Sequence, residues 1–374
     1  MELERFPLDV FACDRCGHHQ LGVVVDPELM FSNYAYASGT AASFRAHFTE
    51  YAKEIVERYK PLEHRLGELN APPPSHFRVL EIGSNDSTML KALLAAGASH
   101  VVGVEPAQNL AEKSSADGLL TVHSFFDAKV AVHPDVAPVD FWVANNVLAH
   151  VDDFVGTLNA LALTGAKAGV FEVQYLGSLL DGGMFDMTYH EHLDYWRATE
   201  LIEHLHGHTP WDVVDIEQVP THGGSLRVWV ERIDEGLRMR SGRVADFAER
   251  ELKRDWAGAW HELKDKMNEE RKRLHALLGD HKTVAIFGAP AKLTTLLYGL
   301  GLTYLNFAYA VDDSPLKQGL FTPGMGLEVS HPNRLLAEPV DAVLVGAWNF
   351  APYIVPKLHD MLKGSANIVV PFEK

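Results

Sequence analysis

Apolar residues recur along the chain in two rhythms, one helical and one of short runs. Phe44, Phe48, Tyr51, Ile55 and Tyr59 fall at helical spacing, which predicts a helix whose aromatics are mostly core. The run Ala71-Pro-Pro-Pro-Ser75 then forbids helix and reads as a semi-rigid linker. Beyond it, RVLEIG (78–83), HVVGVEP (100–106), VDFWVANNV (139–147) and GVFEVQ (169–174) alternate with helical stretches, which predicts a parallel sheet covered by helices on both faces. Residues 213–231 hold two more strand-like runs around His222-Gly-Gly-Ser225. The stripe Phe247, Leu252, Trp256, Trp260, Leu263, Met267, Leu274 and Leu278 predicts one long helix, bent or broken near Gly258, that bridges domains at about 1.5 Å per residue. A second βα unit starts at TVAIFGA (283–289) and includes AYAVDD (308–313), AVLVGAW (342–348) and IVVPF (368–372). The fold class is therefore α/β, with two Rossmann-like sheets.

Composition narrows the class of protein. At about 150 residues per domain, 374 residues make two to three domains. Hydrophobic residues at 47% and charged residues at 22% describe an ordinary globular chain. No apolar run reaches the roughly 20 residues that cross a bilayer, and MELERFPLDV has no signal-peptide pattern, so a cytoplasmic protein away from membranes is expected. With 33 basic and 50 acidic residues the net charge is -17, which repels nucleic acid and anionic lipid. An anionic ligand then needs a local basic pocket.

Candidate chemistry gathers first at the turn Glu81-Ile82-Gly83-Ser84-Asn85-Asp86-Ser87. It follows a buried strand and opens a helix, and Glu105 ends the next strand about twenty residues on, as in α/β cofactor sites. The turn lacks the glycines that admit a pyrophosphate, and it sets Glu81 and Asp86 where phosphates would lie. S-adenosylmethionine (SAM), with a cationic amine and sulfonium and no phosphate, suits these charges better than NAD; otherwise the acids cap helices and solvate a sheet edge. Asn145 and Asn146 end a strand on the ligand-binding face, placed to bond the amino-acid end of that cofactor or to turn the chain.

Further along, Tyr189-His190-Glu191-His192 combines a base with a carboxylate able to orient it, since a neutral histidine near its usual pKa of about 6.5 accepts protons. Its spacing does not match a zinc-protease motif. His150 shares the carboxyl edge of the sheet with Asn145 and Asn146, facing cofactor and acceptor together or starting a helix. In the second sheet, free N–H groups at Gly288-Ala-Pro-Ala-Lys292, with Lys292 and Lys317, suit a phosphate; the alternative is a plain turn with solvated lysines. The only cysteines, Cys13 and Cys16, make half a metal site and no disulfide framework.

Taken in order, Tyr34-Ala-Tyr36-Ala-Ser-Gly-Thr, Glu81-Ile-Gly-Ser-Asn-Asp, Gly103-Val-Glu105-Pro, Asn145-Asn-Val-Leu-Ala-His150, Glu172-Val-Gln-Tyr175, Tyr189-His-Glu-His192, His222-Gly-Gly-Ser-Leu-Arg227, Gly288-Ala-Pro-Ala-Lys292, Lys317-Gln-Gly319 with Pro323-Gly324, and Trp348-Asn-Phe350 resemble the SAM-dependent sugar C-methyltransferases. Those enzymes act on nucleotide-linked keto-deoxysugars, and the resemblance spans nearly the whole chain. It implies a small zinc-binding N-terminal region with an aromatic loop and helix (1–70), a class I SAM methyltransferase Rossmann-like domain (71–240), a bridging helix (241–280) and a C-terminal Rossmann-like domain that helps hold the nucleotide sugar (281–374). By this resemblance Glu81, Gly83, Ser84, Asn85, Asp86, Glu105, Asn145 and Asn146 bind SAM. Tyr34, His222, Gly223, Ser225, Arg227, Lys292, Lys317 and Asn349 bind the sugar nucleotide.

Two positions depart from the family pattern. A tetrahedral structural zinc wants four ligands, and only the Cys13-Asp-Arg-Cys16 pair is present, with His18 and His19 as further donors, so the zinc module is expected to be degenerate. Ser87 stands where the family has glycine. The reaction implied is methyl transfer from SAM to a carbon beside a ketone, C3 of a 4-keto-6-deoxy sugar on dTDP. In it His192 is the base, Glu191 orients it, and Tyr189, Tyr36 and His150 bond the keto or enolate oxygen. The alternatives are an O- or N-methyltransferase on a nucleotide sugar, a NAD-dependent sugar enzyme, and a catalytically silent SAM- or nucleotide-sugar-binding partner subunit.

Overall fold

The computed structural model of the protein describes residues 5–60, 76–235, 239–279 and 281–373. The linker expected at 71–75 lies outside the described residues. Seven strands form the first sheet: β1 (Arg78–Ile82), β2 (His100–Glu105), β3 (Thr121–His123), β4 (Phe141–Asn145), β5 (Ala168–Gln174), β6 (Trp211–Val219) and β7 (Ser225–Arg232). Their spatial order is β3-β2-β1-β4-β5-β7-β6. The first five run parallel, whereas β7 is antiparallel to both β5 and β6. The four runs expected to form a parallel sheet do so, and the two strand-like runs at 213–231 add an antiparallel edge. Only Pro220–Gly224 separate β6 from β7, far short of the dozen or so residues that a parallel crossover needs.

Apolar content explains which faces close. β5 is buried along its whole length, as a near-continuous apolar strand in mid-sheet must be. Helix α1 (Ala42–Tyr59) buries Phe44, Phe48, Tyr51, Ile55 and Tyr59, and packs them with Phe77, Val79, Phe141, Val170 and Trp229 on one sheet face. Each such burial contributes ~1.5–3 kcal/mol, and Ile55→Ala, at a position with no exposure, costs ~2–5 kcal/mol. The N-terminal helix is therefore part of the first sheet's core. Helices α2 (Thr88–Ala96) and α3 (Gln108–Ala116) follow β1 and β2, and Gly97, at φ +110°, provides the left-handed cap that ends α2.

A small antiparallel sheet joins Val10–Ala12, His19–Leu21 and Asp194–Tyr195, tying the N-terminal segment to the chain just past His192. The long helix expected across 244–278, bent or broken near Gly258, is broken into two, α4 (Gly242–Leu252) and α5 (Trp256–Gly279). The break precedes Gly258 instead of centring on it: Asp255 Oδ1 accepts from Gly258 N at 2.9 Å and starts α5. Leu252, read as part of the buried stripe, is turned out by this break and is 81% exposed.

The second sheet contains β8 (Val284–Phe287), β9 (Tyr309–Val311), β10 (Val329–Ser330), β11 (Ala342–Val345) and β12 (Asn367–Val369), all parallel, in the order β10-β9-β8-β11-β12. Leu263, Leu274 and Leu278 of α5 share a core with Ile286 and Leu344 of this sheet and with Leu176 and Leu180, which follow β5. That shared core joins the two sheets. No helix among the described residues is long and apolar enough to cross a membrane.

Candidate active site

Both strand-to-helix edges open onto adjoining cavities. At the first sheet, β1 runs into Gly83, whose φ of +61° and tight contact (a Cβ there would lie 2.4 Å from Val147 Cγ2) require glycine. Ser87 adopts φ +64°, a left-handed geometry that explains a glycine preference at this position, and its Oγ bonds Ser114 Oγ. Glu105 accepts from Asn85 N at 2.7 Å and from Ala107 N at 2.8 Å, which fixes its carboxylate at the end of β2. A cavity of about 380 Å³ lies above, lined by Gly83, Asn85, Glu105, Asn145, Asn146 and His150 with apolar walls that include Val25, Met30, Phe31, Phe125 and Val147. Asn145 Oδ1 and His150 Nε2 are buried there without a partner, so the wall presents polar atoms that fit the amino, carboxylate and ribose groups of SAM.

Three of the acids and hydroxyls assigned to SAM from the sequence lie elsewhere. Glu81 sits below the cavity, 3.5 Å from Asn145 Nδ2, and burial pushes its carboxyl well above the usual range. Ser84 turns toward the sheet, where a Cβ on Gly103 would lie 2.4 Å from its Oγ. Asp86 accepts from Gly39 N at 3.1 Å and from Thr88 Oγ1 at 2.7 Å. These three side chains support the turn and do not line the cavity.

What Asp86 holds is a strap, residues 32–39, that roofs both cavities. Asn85 donates to Tyr36 O at 3.1 Å and accepts from Ser38 N at 2.9 Å. Asn109, at the start of α3, accepts from Tyr34 N at 3.0 Å and donates to Tyr34 O at 2.9 Å. Tyr34 and Tyr36 thereby stand in the wall between the cofactor cavity and its neighbour, together with Met30, Asn146 and His150. Burial beside Asp86 raises the Tyr36 phenol above its ordinary range, so it is a neutral hydrogen-bond donor.

The neighbouring cavity, also about 380 Å³, is lined by Tyr189, Glu191, His192, His222, Lys292, Lys317 and Asn349 in addition to the shared wall. His192 Nδ1 donates to Met187 O at 3.0 Å, which leaves Nε2 with its lone pair, 3.3 Å from Tyr189 Oη. Burial, with His150 and His222 nearby, holds His192 well below its ordinary pKa, and the imidazole is neutral at pH 7. The rings of His150 and His192 lie 5.1 Å apart, and burial depresses His150 and His222 to about 4. Glu191 does not orient His192 as the sequence suggested: it accepts from Tyr34 Oη at 2.7 Å, and the Met187 carbonyl does the orienting.

Several substrate assignments are corrected in the same way. Arg227 bonds Glu172 at 2.8 Å and Glu54 at 3.0 Å and covers the Tyr51 ring at 3.7 Å, because β7 pairs Arg227 directly with Glu172 of β5. Ser225 is fully buried and donates to Thr221 O at 3.1 Å. Gly223, at φ +86°, packs against Met184 and Trp348. None of the three lines the cofactor cavity or the cavity beside it. Lys292 is buried, not a solvated turn lysine, and its ammonium faces Asp186 at 3.4 Å. At the metal motif, His18 bonds Asp194 at 2.8 Å and His19 stacks on Trp260, so neither completes a site with the exposed Cys13 and Cys16. The described residues bring together no three side chains able to hold a metal ion, and a structural zinc does not fit them.

Known proteins match this chain along nearly its whole length. Residues 220–372 match the model of the C-methyltransferase C-terminal domain, and residues 48–209 match that of a methyltransferase domain. C-methyltransferase NovU of Streptomyces niveus is 30% identical over 380 residues, covering 98% of this chain and 86% of that protein. The chain belongs to the C-methyltransferase family. Among solved structures, magnesium protoporphyrin IX methyltransferase of Synechocystis PCC 6803 is 13% identical with a TM-score of 0.37, covering 50% of this chain and 83% of that one. A SAM-dependent methyltransferase of Clostridium acetobutylicum ATCC 824 is 10% identical with a TM-score of 0.37, covering 50% and 92%.

The protein is thus a SAM-dependent methyltransferase with a class I Rossmann-like domain. Several residues that shape its site carried no signal in the sequence. Asn109 reads as an ordinary first-turn helix residue, yet it holds the Tyr34 backbone on both sides. Asp186 and Met187 precede the histidine cluster without forming a motif, and Trp348, quoted only as part of a family pattern, donates to Asp186 Oδ2 at 2.6 Å.

Proposed function

We propose that the enzyme methylates a carbon α to a ketone, C3 of a 4-keto-6-deoxy sugar carried on dTDP. The observation that carries this reading is the neutral His192 Nε2 beside Tyr189, in a cavity that shares the Tyr36–His150 wall with the cofactor cavity. The bound cofactor supplies an electrophilic methyl group on a sulfonium. His192 Nε2 takes the C3 proton, the C–H electron pair moves into the enolate, and that pair then forms the new carbon–methyl bond as the methyl–sulfur bond breaks and its electrons return to sulfur, which leaves as a neutral thioether. Tyr189 and Tyr36 donate to the enolate oxygen, with His150 beside them. Such acid–base help is worth about 10²–10⁴-fold, and alignment of the two reactants contributes further.

A nucleotide-linked acceptor is supported by a third cavity of about 250 Å³ at the carboxyl edge of β8, β9 and β11. It shares Tyr36, Pro290, Lys317 and Phe350 with the acceptor cavity. Lys317 and Lys357 line it beside Asp312 and Asp313, with which they pair, so each lysine would have to exchange an aspartate for a phosphate when a nucleotide binds. Mass spectrometry with methyl-labelled SAM and 4-keto nucleotide sugars in deuterated water tests the reading. Label on carbon, with deuterium entering C3 in SAM-free controls, supports it; label on oxygen or nitrogen without exchange overturns it in favour of heteroatom transfer.

A further inference from the structure

Lys292 leaves the edge of the second sheet but finishes inside the acceptor cavity. Its Nζ lies 3.2 Å from Met187 Sδ, 3.4 Å from Asp186 Oδ2 and 3.6 Å from the centre of the Trp348 ring. Trp348, which follows β11 of the same sheet, donates its indole N–H to the same carboxylate oxygen at 2.6 Å. Asp186 has no exposure, and a carboxylate buried to that degree stays ionised only with such partners. Two side chains of the C-terminal half therefore grip one residue of the Phe185–Met187 turn. The next residue in that turn, Met187, offers the carbonyl that accepts from His192 Nδ1 at 3.0 Å. Met187 is itself 2% exposed, so the carbonyl cannot shift without repacking the cavity floor.

We infer that Lys292 and Asp186 are positioning residues for His192, acting through the Met187 carbonyl, and that the second sheet thereby sets the orientation and tautomer of the base. The inference rests on the reading of His192 as that base. It replaces the phosphate-binding role that the sequence suggested for Lys292, because a buried ammonium shared between a carboxylate, a thioether and an indole face is engaged within the protein. A displacement of about 1 Å in such a supporting element is enough to cost about 10²-fold in rate.

The charge on Lys292 makes the device sensitive to pH. Burial lowers its pKa to about 8, against the pull of Asp186. The ionisable groups that face this cluster from other elements are Asp186 on the turn, Tyr189 and His192 on the following loop, and His222 after β6. The ammonium is present below about 8 and lost above it, so the grip on Asp186 weakens on the alkaline side.

The test measures C3–H exchange in deuterated water and steady-state methyl transfer for the whole protein, with S-adenosylhomocysteine binding by calorimetry as the check on folding. Lys292→Met should lower the exchange rate and kcat by about 10²-fold and leave the KM for dTDP-4-keto-6-deoxyglucose within about threefold. Lys292→Arg should restore most of the rate and carry the alkaline limb from near pH 8 to beyond pH 10, since guanidinium stays charged. Asp186→Asn should repeat the rate loss if Lys292→Met does not fold. An increase in KM at unchanged saturating exchange would return Lys292 to phosphate binding and overturn the inference while the His192 reading stands. Undiminished exchange in His192→Ala would instead remove the base, and the inference with it.

Discussion

Tyr34 Oη donates to Glu191 Oε2 at 2.7 Å across 157 positions of sequence, joining the strap over the cofactor cavity to the loop that carries His192. Burial raises the Glu191 carboxyl and the Tyr34 bond opposes the rise, so the phenol helps to keep Glu191 ionised. A hydrogen bond to a charged group contributes ~1.5–3 kcal/mol. Tyr34→Phe is therefore expected to lower kcat by about 10- to 100-fold with little change in SAM affinity. Steady-state kinetics decides the matter, and an unaltered kcat would make the contact purely structural.

The base itself is the sharpest point of attack. His192→Ala should abolish both C3–H exchange and methyl transfer while SAM binding, measured by calorimetry, persists, because His192 borders the acceptor cavity and not the cofactor cavity. Retained exchange would transfer the role to another group.

Asn109 offers a test of the strap. Both of its amide atoms bond the Tyr34 backbone, so Asn109→Ala leaves an N–H and a C=O of a part-buried segment unpaired, at a cost of ~1–3 kcal/mol. SAM affinity should fall about tenfold, since the strap is the roof of the cofactor cavity. Calorimetric titration with SAM reads this directly, and wild-type affinity would show that the roof is held from elsewhere.

Arg227 should prove a folding residue and not a substrate ligand. Glu172 has no exposure, and Arg227 with His47 lowers its carboxyl pKa against the effect of burial. Arg227→Met leaves that charge without its guanidinium, at ~3–5 kcal/mol. Urea unfolding should show this loss, and a normal unfolding midpoint with a raised sugar-nucleotide KM would restore the ligand role.

His150 carries a stability signature. Its folded pKa of about 4 lies below the unfolded value of about 6.5, so the unfolded chain takes up a proton that the folded protein refuses. Its contribution is complete above about 6.5 and is lost as pH falls toward 4, by ~3 kcal/mol at most. His150→Phe, stacked on Phe31, should lack this part of the acid destabilisation. Denaturation midpoints of the two proteins compared at pH 7 and pH 4.5 check it; parallel curves would mean that His150 titrates normally.

The local elements, and the residues whose chemistry is tied to a strand end, are legible in the pattern of the chain alone. Alternating apolar runs predict both sheets, and Gly83, Glu105, Asn145 and Asn146 line the cofactor cavity because carboxyl ends of parallel strands converge there. Tertiary structure decided which side chains face a ligand and which face the protein. Glu81, Asp86, Ser225 and Arg227 sit in the same motifs as cavity residues, but pleat, turn geometry and cross-strand register point them to other partners. Tyr34 with Glu191, and Lys292 with Asp186, meet only after folding. Local periodicity reports burial but not the identity of a distant neighbour, and a buried charge takes its partner from whichever strand or loop the topology brings beside it.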